Sequence, residues 1–174
     1  MNNKSWVIKA FLLTFFLALI ISGVSNLIVE NCGFIILLLI TIIILFIGIV
    51  SDIIGTAVLT ANEATFHAKA SNKIKGARES IQLIKNSSNI ANFFNDIVGD
   101  ICGIISGSMG AMIALYIADT VTMNKVLSTL LLSSILSSIM VGGKAIGKEI
   151  AIKNSDKIVF LVGRILSKFK KDKN

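Results

Sequence analysis

The sequence predicts an all-α polytopic membrane protein with about four transmembrane helices, a cytoplasmic juxtamembrane amphipathic belt and a tail helix. Three observations carry that prediction. Of the 174 residues 54% are hydrophobic, and mean hydropathy is +0.83, values of integral membrane proteins and not of soluble domains. Four apolar stretches are long enough to cross a hydrocarbon layer about 30 Å thick. The basic residues gather on one side of those stretches.

The first stretch, residues 7–29, is too long for a signal peptide and no A-x-A-like cleavage site follows it. It is expected to be an uncleaved span or signal anchor, an additional N-terminal transmembrane helix within residues 1–32. Residues 33–174 are expected to form a single domain, since the chain has no proline and no low-complexity linker. Its spans fall at about 33–59, 90–118 and 126–143, its juxtamembrane helices at 62–86 and its amphipathic tail at 150–171.

Net charge is +7, and sixteen of the seventeen Lys and Arg residues share one side of the spans. Lys4 and Lys9 stand before and at the start of the first span, Lys69, Lys73, Lys75, Arg78 and Lys85 lie between the second and third, and nine more follow from Lys144 to Lys173. Lys125 alone falls on the other side. The positive-inside rule then makes both termini cytoplasmic, in a multi-pass protein of the cell (plasma) membrane. Nucleic acid is not an expected partner, because the basic residues flank spans and form no basic, aromatic-lined face on a soluble module. Cys32 and Cys102 are expected at different membrane depths and cannot pair; no C-x-x-C or Cys/His cluster suggests zinc, and Cys102 reads as a small packing residue.

Between the second and third spans, Phe66, Ala70, Ile74, Ala77, Ile81 and Ile84 recur at helical spacing, with lysines and Arg78 elsewhere. The pattern describes one amphipathic helix, or two short ones, at the cytoplasmic interface. The tail repeats it: Ile158, Leu161, Val162, Ile165, Leu166 and Phe169 form an apolar stripe beside Lys157, Arg164, Lys168, Lys170 and Lys171. Anionic lipid headgroups of the bilayer would attract both segments. Packing on the protein's own cytoplasmic face explains them equally well, and the two readings can coexist.

The third span holds the most informative residues. At about 100° per residue, Asn92, Asp96, Gly99, Asp100, Gly103, Gly107 and Gly110 share one side of a helix, opposite Phe93, Phe94, Ile97, Ile101, Ile104 and Met112. A carboxylate in hydrocarbon costs about 2.5–3.5 kcal/mol even on lenient scales, so it should face protein, water or a cation. Gly99, Gly103 and Gly107 form two overlapping G-x-x-x-G steps that admit a second backbone. Ser133, Ser134, Ser137, Ser138, Gly142 and Gly143 on the fourth span offer a matching small-residue surface. The two spans are expected to pack together within one chain, across a homodimer, or both.

Several segments resemble the transmembrane domain of the cyclin M/CorB/CorC family of magnesium transport and efflux proteins. Residues 51–70 read SDIIGTAVLTANEATFHAKA, in which Thr56 and Ala57 match the T-A pair of a family motif like S-x-S-E-T-A-L. Residues 75–86, KGARESIQLIKN, resemble the family's juxtamembrane helix. Asn92 and Asn95 stand where the family often has paired asparagines, and residues 143–157, GKAIGKEIAIKNSDK, resemble its closing G-E-x-x-P-K-like motif. The resemblance spans roughly residues 47–169. It departs where the family's acids would fall, on Gly55 and Lys144, and where its proline would fall, on Gly147; Lys148 keeps the motif's lysine. The sequence carries no counterpart of the family's cytoplasmic CBS pair.

The resemblance implies an intramembrane cation site for Mg²⁺. Asp96, Asp100, Asn92, Asn95, Ser51 and Asp52 supply the hard oxygens such an ion accepts, with several waters retained. The competing arrangement is an internal ion pair between Asp96 or Asp100 and Lys144 or Lys148, which would neutralise both without moving an ion. His67 has no partner at ligand spacing and reads as solvent-facing; Asp119 reads as the outer end of the third span. No Ser/His/Asp set, H-E-x-x-H, P-loop or nucleotide fingerprint is present, so no enzymatic activity is expected. A small magnesium or divalent-cation transporter and a non-transporting membrane interaction or regulatory protein are the two leading readings, with a holin-like pore third.

Overall fold

The computed structural model describes residues 33–121 and 124–171, together with scattered positions between 8 and 23. The expected N-terminal span lies, apart from those positions, outside the described residues, as do Lys4, Lys9 and Cys32. Every regular element among the described residues is helical: α1 Phe34–Thr60, α2 Glu63–Ser71, α3 Ala77–Lys85, α4 Ser87–Ala91, a π-helical segment Asn92–Val98, α5 Gly99–Val121, α6 Lys125–Lys153 and α7 Ser155–Lys171. Three helical stretches are long and apolar enough to cross a membrane: Phe34–Thr60, Ser87–Thr120 and Lys125–Lys153.

The chain divides into two units, Met1–Ile49 with Ile97–Gly143, and Val50–Asp96 with Lys144–Asn174. The first is built from apolar helix faces and from glycines that admit neighbouring side chains. Leu37, Ile97, Ile101, Ile105, Met109 and Ile113 form one buried cluster, and Leu45, Cys102 and Met140 another. In the α5 part of the first cluster the buried positions recur every four residues, the spacing of one helix face. A Cβ at Gly48 would come within 2.7 Å of Met140 Cε and 2.9 Å of Cys102 Cβ, so a larger residue there would push these helices apart. Gly110 likewise receives Leu136, and Gly143 receives Ile49. Helices α5 and α6 therefore pack together within one chain.

The glycine steps themselves contribute unevenly. Gly99 is buried, Gly103 is half-buried with its nearest neighbour at 3.9 Å, and Gly107 is exposed with nothing within 4 Å. Val126, Leu130, Leu131, Ile135 and Ile139 are exposed, so α6 buries only 11% of its apolar window within the chain. An apolar surface of that extent is what a bilayer or a partner covers.

The second unit is built on α2, α3 and α7. Asn62 caps α2 by accepting from the Ala64 amide at 3.0 Å, and Phe66 on α2 is fully buried with Ala57, Val58, Ala151 and Val159. Between α1 and α4 the chain forms two helices, α2 and α3, with Lys73 (φ 55°) and Gly76 (φ 91°) turning the chain between them. Gly76 is required there, since a positive φ costs a side-chain-bearing residue, and Arg164 backbone atoms would lie 2.8 Å from an added Cβ. α3 and α7 pack closely: Ser80 Oγ donates to the Gly76 carbonyl at 2.8 Å and to the Val159 carbonyl at 3.2 Å. Lys69 Nζ lies 5.1 Å from the Phe66 ring centroid and 4.6 Å from that of Phe160. Asp156 accepts from the Asn62 amide at 2.9 Å, fixing the start of α7 against the end of α1.

Candidate functional site

Polar side chains are scarce in apolar helices, and burying one needs a compensating partner. The second unit buries Ser51 and Asp52 on α1, and the π-helical segment brings half-buried Asn95 to them. Ser51 and Asp52 are 4% and 3% exposed. Ser51 Oγ donates to the Phe94 carbonyl at 2.7 Å, joining α1 to the π-helical segment. A π-turn bonds each amide to the carbonyl five residues back, which widens the backbone and re-aims the residues within it; such turns concentrate at functional sites.

Two oxygens in this neighbourhood are buried and accept no hydrogen bond: Asp52 Oδ2 and Asn95 Oδ1. Gly55, one turn beyond Asp52, explains how Asn95 fits. It is buried, and a Cβ built on it would collide with Oδ1 of Asn95. The missing side chain is thus the space the amide occupies. Lys148 on α6 faces the same carboxylate, with Nζ 3.7 Å from Asp52 Oδ2, beyond hydrogen-bond reach but close enough for a charge interaction.

Of the expected site residues, Ser51, Asp52 and Asn95 come together, and Lys148 joins them. Asn92 is half-buried on the same π-helical segment. Asp96 is exposed and makes no ion pair among the described residues; Lys148 pairs with Asp52 instead. Asp100 is also exposed, and Lys144 is half-buried. The single-face arrangement expected of Asn92, Asp96 and Asp100 assumed a uniform α-helical advance. The stretch Asn92–Val98 is π-helical, and Ala91, Ile97, Gly99, Ile101 and Cys102 are the buried positions in and around it.

Among the described residues no three His, Cys, Asp or Glu side chains converge as a metal-binding group. A site here would rest on one carboxylate, an amide oxygen, a hydroxyl and water, a donor set suited to a hydrated Mg²⁺ and unsuited to zinc. His67 is exposed and bonds Glu63 one turn away at 3.0 Å, and Asp119 pairs with Lys125 at 2.8 Å in exposed positions. Sequence reasoning missed Gly55 as a contributor. Its signal was the run S-D-x-x-G, which puts a glycine one turn from an acid inside an apolar helix.

No family model matches this sequence, no curated protein matches it, and no solved structure matches this fold.

Proposed function

We propose that this is a multi-pass membrane protein that binds and moves a hard divalent cation with the chemistry of Mg²⁺, using Asp52, Asn95 and Ser51. The observation that carries the reading is the pair of buried, donor-less oxygens, Asp52 Oδ2 and Asn95 Oδ1, on helices that Ser51 and Phe94 join. Unsatisfied acceptors are costly in a low-dielectric interior, and a cation satisfies both without a proton. The three apolar helices supply the setting, and the resemblance to the cyclin M/CorB/CorC family points to the same cargo. Lys148 serves as the resident counter-charge, holding Asp52 until the cation displaces it. Its side chain is half-exposed, so the ammonium can leave for water at little cost.

A second reading is favoured by the same 3.7 Å approach: Lys148 permanently neutralises Asp52, and the protein is a non-transporting membrane interaction or regulatory protein. Flux measurements with the purified chain in liposomes separate the two. The transport reading expects Mg²⁺ uptake above empty liposomes, lost in Asp52→Asn and Asn95→Ala and kept in Asp96→Asn, whose side chain is exposed. No uptake from a folded wild-type chain, with Lys148→Gln equally silent, sinks it in favour of the second reading.

A further inference from the structure

The helix α7 uses one side to hold itself in place. Val159 and Gly163 on that side are buried against α3. A Cβ at Gly163 would meet the Gly76 carbonyl oxygen at 2.7 Å and the Ser80 amide at 2.9 Å, so the contact is backbone to backbone and the helix cannot roll. At about 100° per residue the other side presents Lys157, Arg164 and Lys168 along one edge, with Leu161, Ile165 and Phe169 beside them. The three apolar residues are 61%, 47% and 71% exposed. The three cations are exposed too, and among the described residues no ion pair uses them.

Chain connectivity says where this face is held. α7 begins at Ser155, directly after α6 ends at Lys153, and α6 is one of the helices long and apolar enough to cross a membrane. With α6 in the bilayer, as proposed above, α7 is tethered to the end of a membrane helix. A groove of about 620 Å³, lined on its apolar side by Leu83, Ile90, Leu166 and Phe169, opens next to the exposed stripe and shares Phe169 with it.

We propose that this face of α7 docks on anionic phospholipid. Leu161, Ile165 and Phe169 enter the boundary between headgroups and acyl chains, and Lys157, Arg164 and Lys168 lie at phosphate level. Apolar residues flanked by cations on the same unpartnered side match that boundary in both chemistry and order. An acidic protein partner would match the cations but leave the apolar stripe to be covered separately. Because α3 clamps the helix, the docking surface is set in advance, and little ordering is needed on contact. The proposal rests on the membrane residence proposed above and is independent of cation movement.

The test places a tryptophan at the apolar edge. The chain's single tryptophan is Trp6, so the full-length double variant Trp6→Phe/Phe169→Trp reports on position 169 alone. It is reconstituted in vesicles of phosphatidylcholine, or of phosphatidylcholine with phosphatidylglycerol, carrying brominated acyl chains. The proposal expects a blue-shifted emission quenched about twofold or more with phosphatidylglycerol, and much less in its absence. Adding Lys157→Gln, Arg164→Gln and Lys168→Gln should remove that difference. Leu161→Trp in the same background repeats the measurement should Phe169→Trp fold poorly. Solvent-like emission in both lipids overturns the proposal, as does quenching that ignores lipid charge. Quenching that changes only with the protein-to-lipid ratio overturns it in favour of a second copy covering the face. Retention in vesicles through a carbonate wash reads membrane residence separately, so loss there marks failure of the broader reading.

Discussion

Oδ2 of Asp52 lies 3.7 Å from Nζ of Lys148, and the two partners have opposite surroundings: the aspartate side chain is 4% exposed and the lysine side chain 54%. The acid is shielded from water, whereas the lysine is not. Removing the lysine therefore strands a buried charge, while removing the acid merely frees a side chain that water already reaches. Lys148→Met should destabilise the chain by about 1–3 kcal/mol, the range for leaving a buried polar group without its partner. Asp52→Asn added to it should recover most of the loss. Thermal unfolding in detergent of both single variants and the double variant closes the cycle, and additive effects would show that the two groups do not interact.

Gly55 and Asn95 share one space, so substitution at either should depend on the other. In an exposed helix Gly→Ala stabilises by about 0.8–1 kcal/mol. At Gly55 the added methyl collides with Asn95 Oδ1, and Gly55→Ala is expected to lose about 1–3 kcal/mol through overpacking. In an Asn95→Ala background the same change should turn neutral or favourable. A Gly55→Ala loss of the same size in both backgrounds would mean that another atom sets the limit.

Gly163 and Gly107 give a contrast within one kind of substitution. Gly163→Ala forces a methyl against the Gly76 carbonyl and the Ser80 amide, backbone atoms that cannot swing aside. It should cost at least about 1–3 kcal/mol and loosen α7 from α3, seen as faster proteolysis within α7. Gly107→Ala meets nothing within 4 Å and should stabilise by a few tenths to about 1 kcal/mol. A marked loss at Gly107, with a fall in oligomer size by light scattering, would instead reveal a second copy on that face.

Phe66 is fully buried and anchors the second unit, whereas Phe93 is 43% exposed. Phe66→Ala should cost about 3–5 kcal/mol, combining lost burial with a cavity. The Lys69 ammonium would also lose one of the two rings it lies over. Phe93→Ala should cost much less in the same melting assay. Equal losses would show that Phe93 is covered by something outside the chain.

The spans were legible because hydrocarbon thickness fixes a length and apolar runs report it directly. The helix Phe34–Thr60 lies within a residue of the expected 33–59, and α6 starts at Lys125 against an expected 126. Its far end was not legible. Hydropathy falls at Lys144, but Ala, Ile, Glu and Lys are adequate helix formers and carry α6 on to Lys153. Ser51, Asp52 and Asn95 were identifiable as hard-oxygen donors from residue type and position. Their grouping around Gly55 was not, because a missing Cβ is informative only once the atom facing it is known. Asp96 and Asp100 drew attention through α-helical periodicity, which could not show that Asp96 lies in a π-helical segment.

The π-helical segment Asn92–Val98 also makes this span tolerant of change in one place. A widened turn holds one residue more than an α-turn needs. Deleting a residue elsewhere in a long helix swings everything beyond it by about 100° and shortens it by about 1.5 Å. Deleting exposed Phe93 should instead let the turn tighten to α-helical hydrogen bonding while the helix beyond keeps its rotational phase. The same deletion withdraws the bulge that brings the Phe94 carbonyl to Ser51, so a chain so shortened would keep its span and lose its polar cluster.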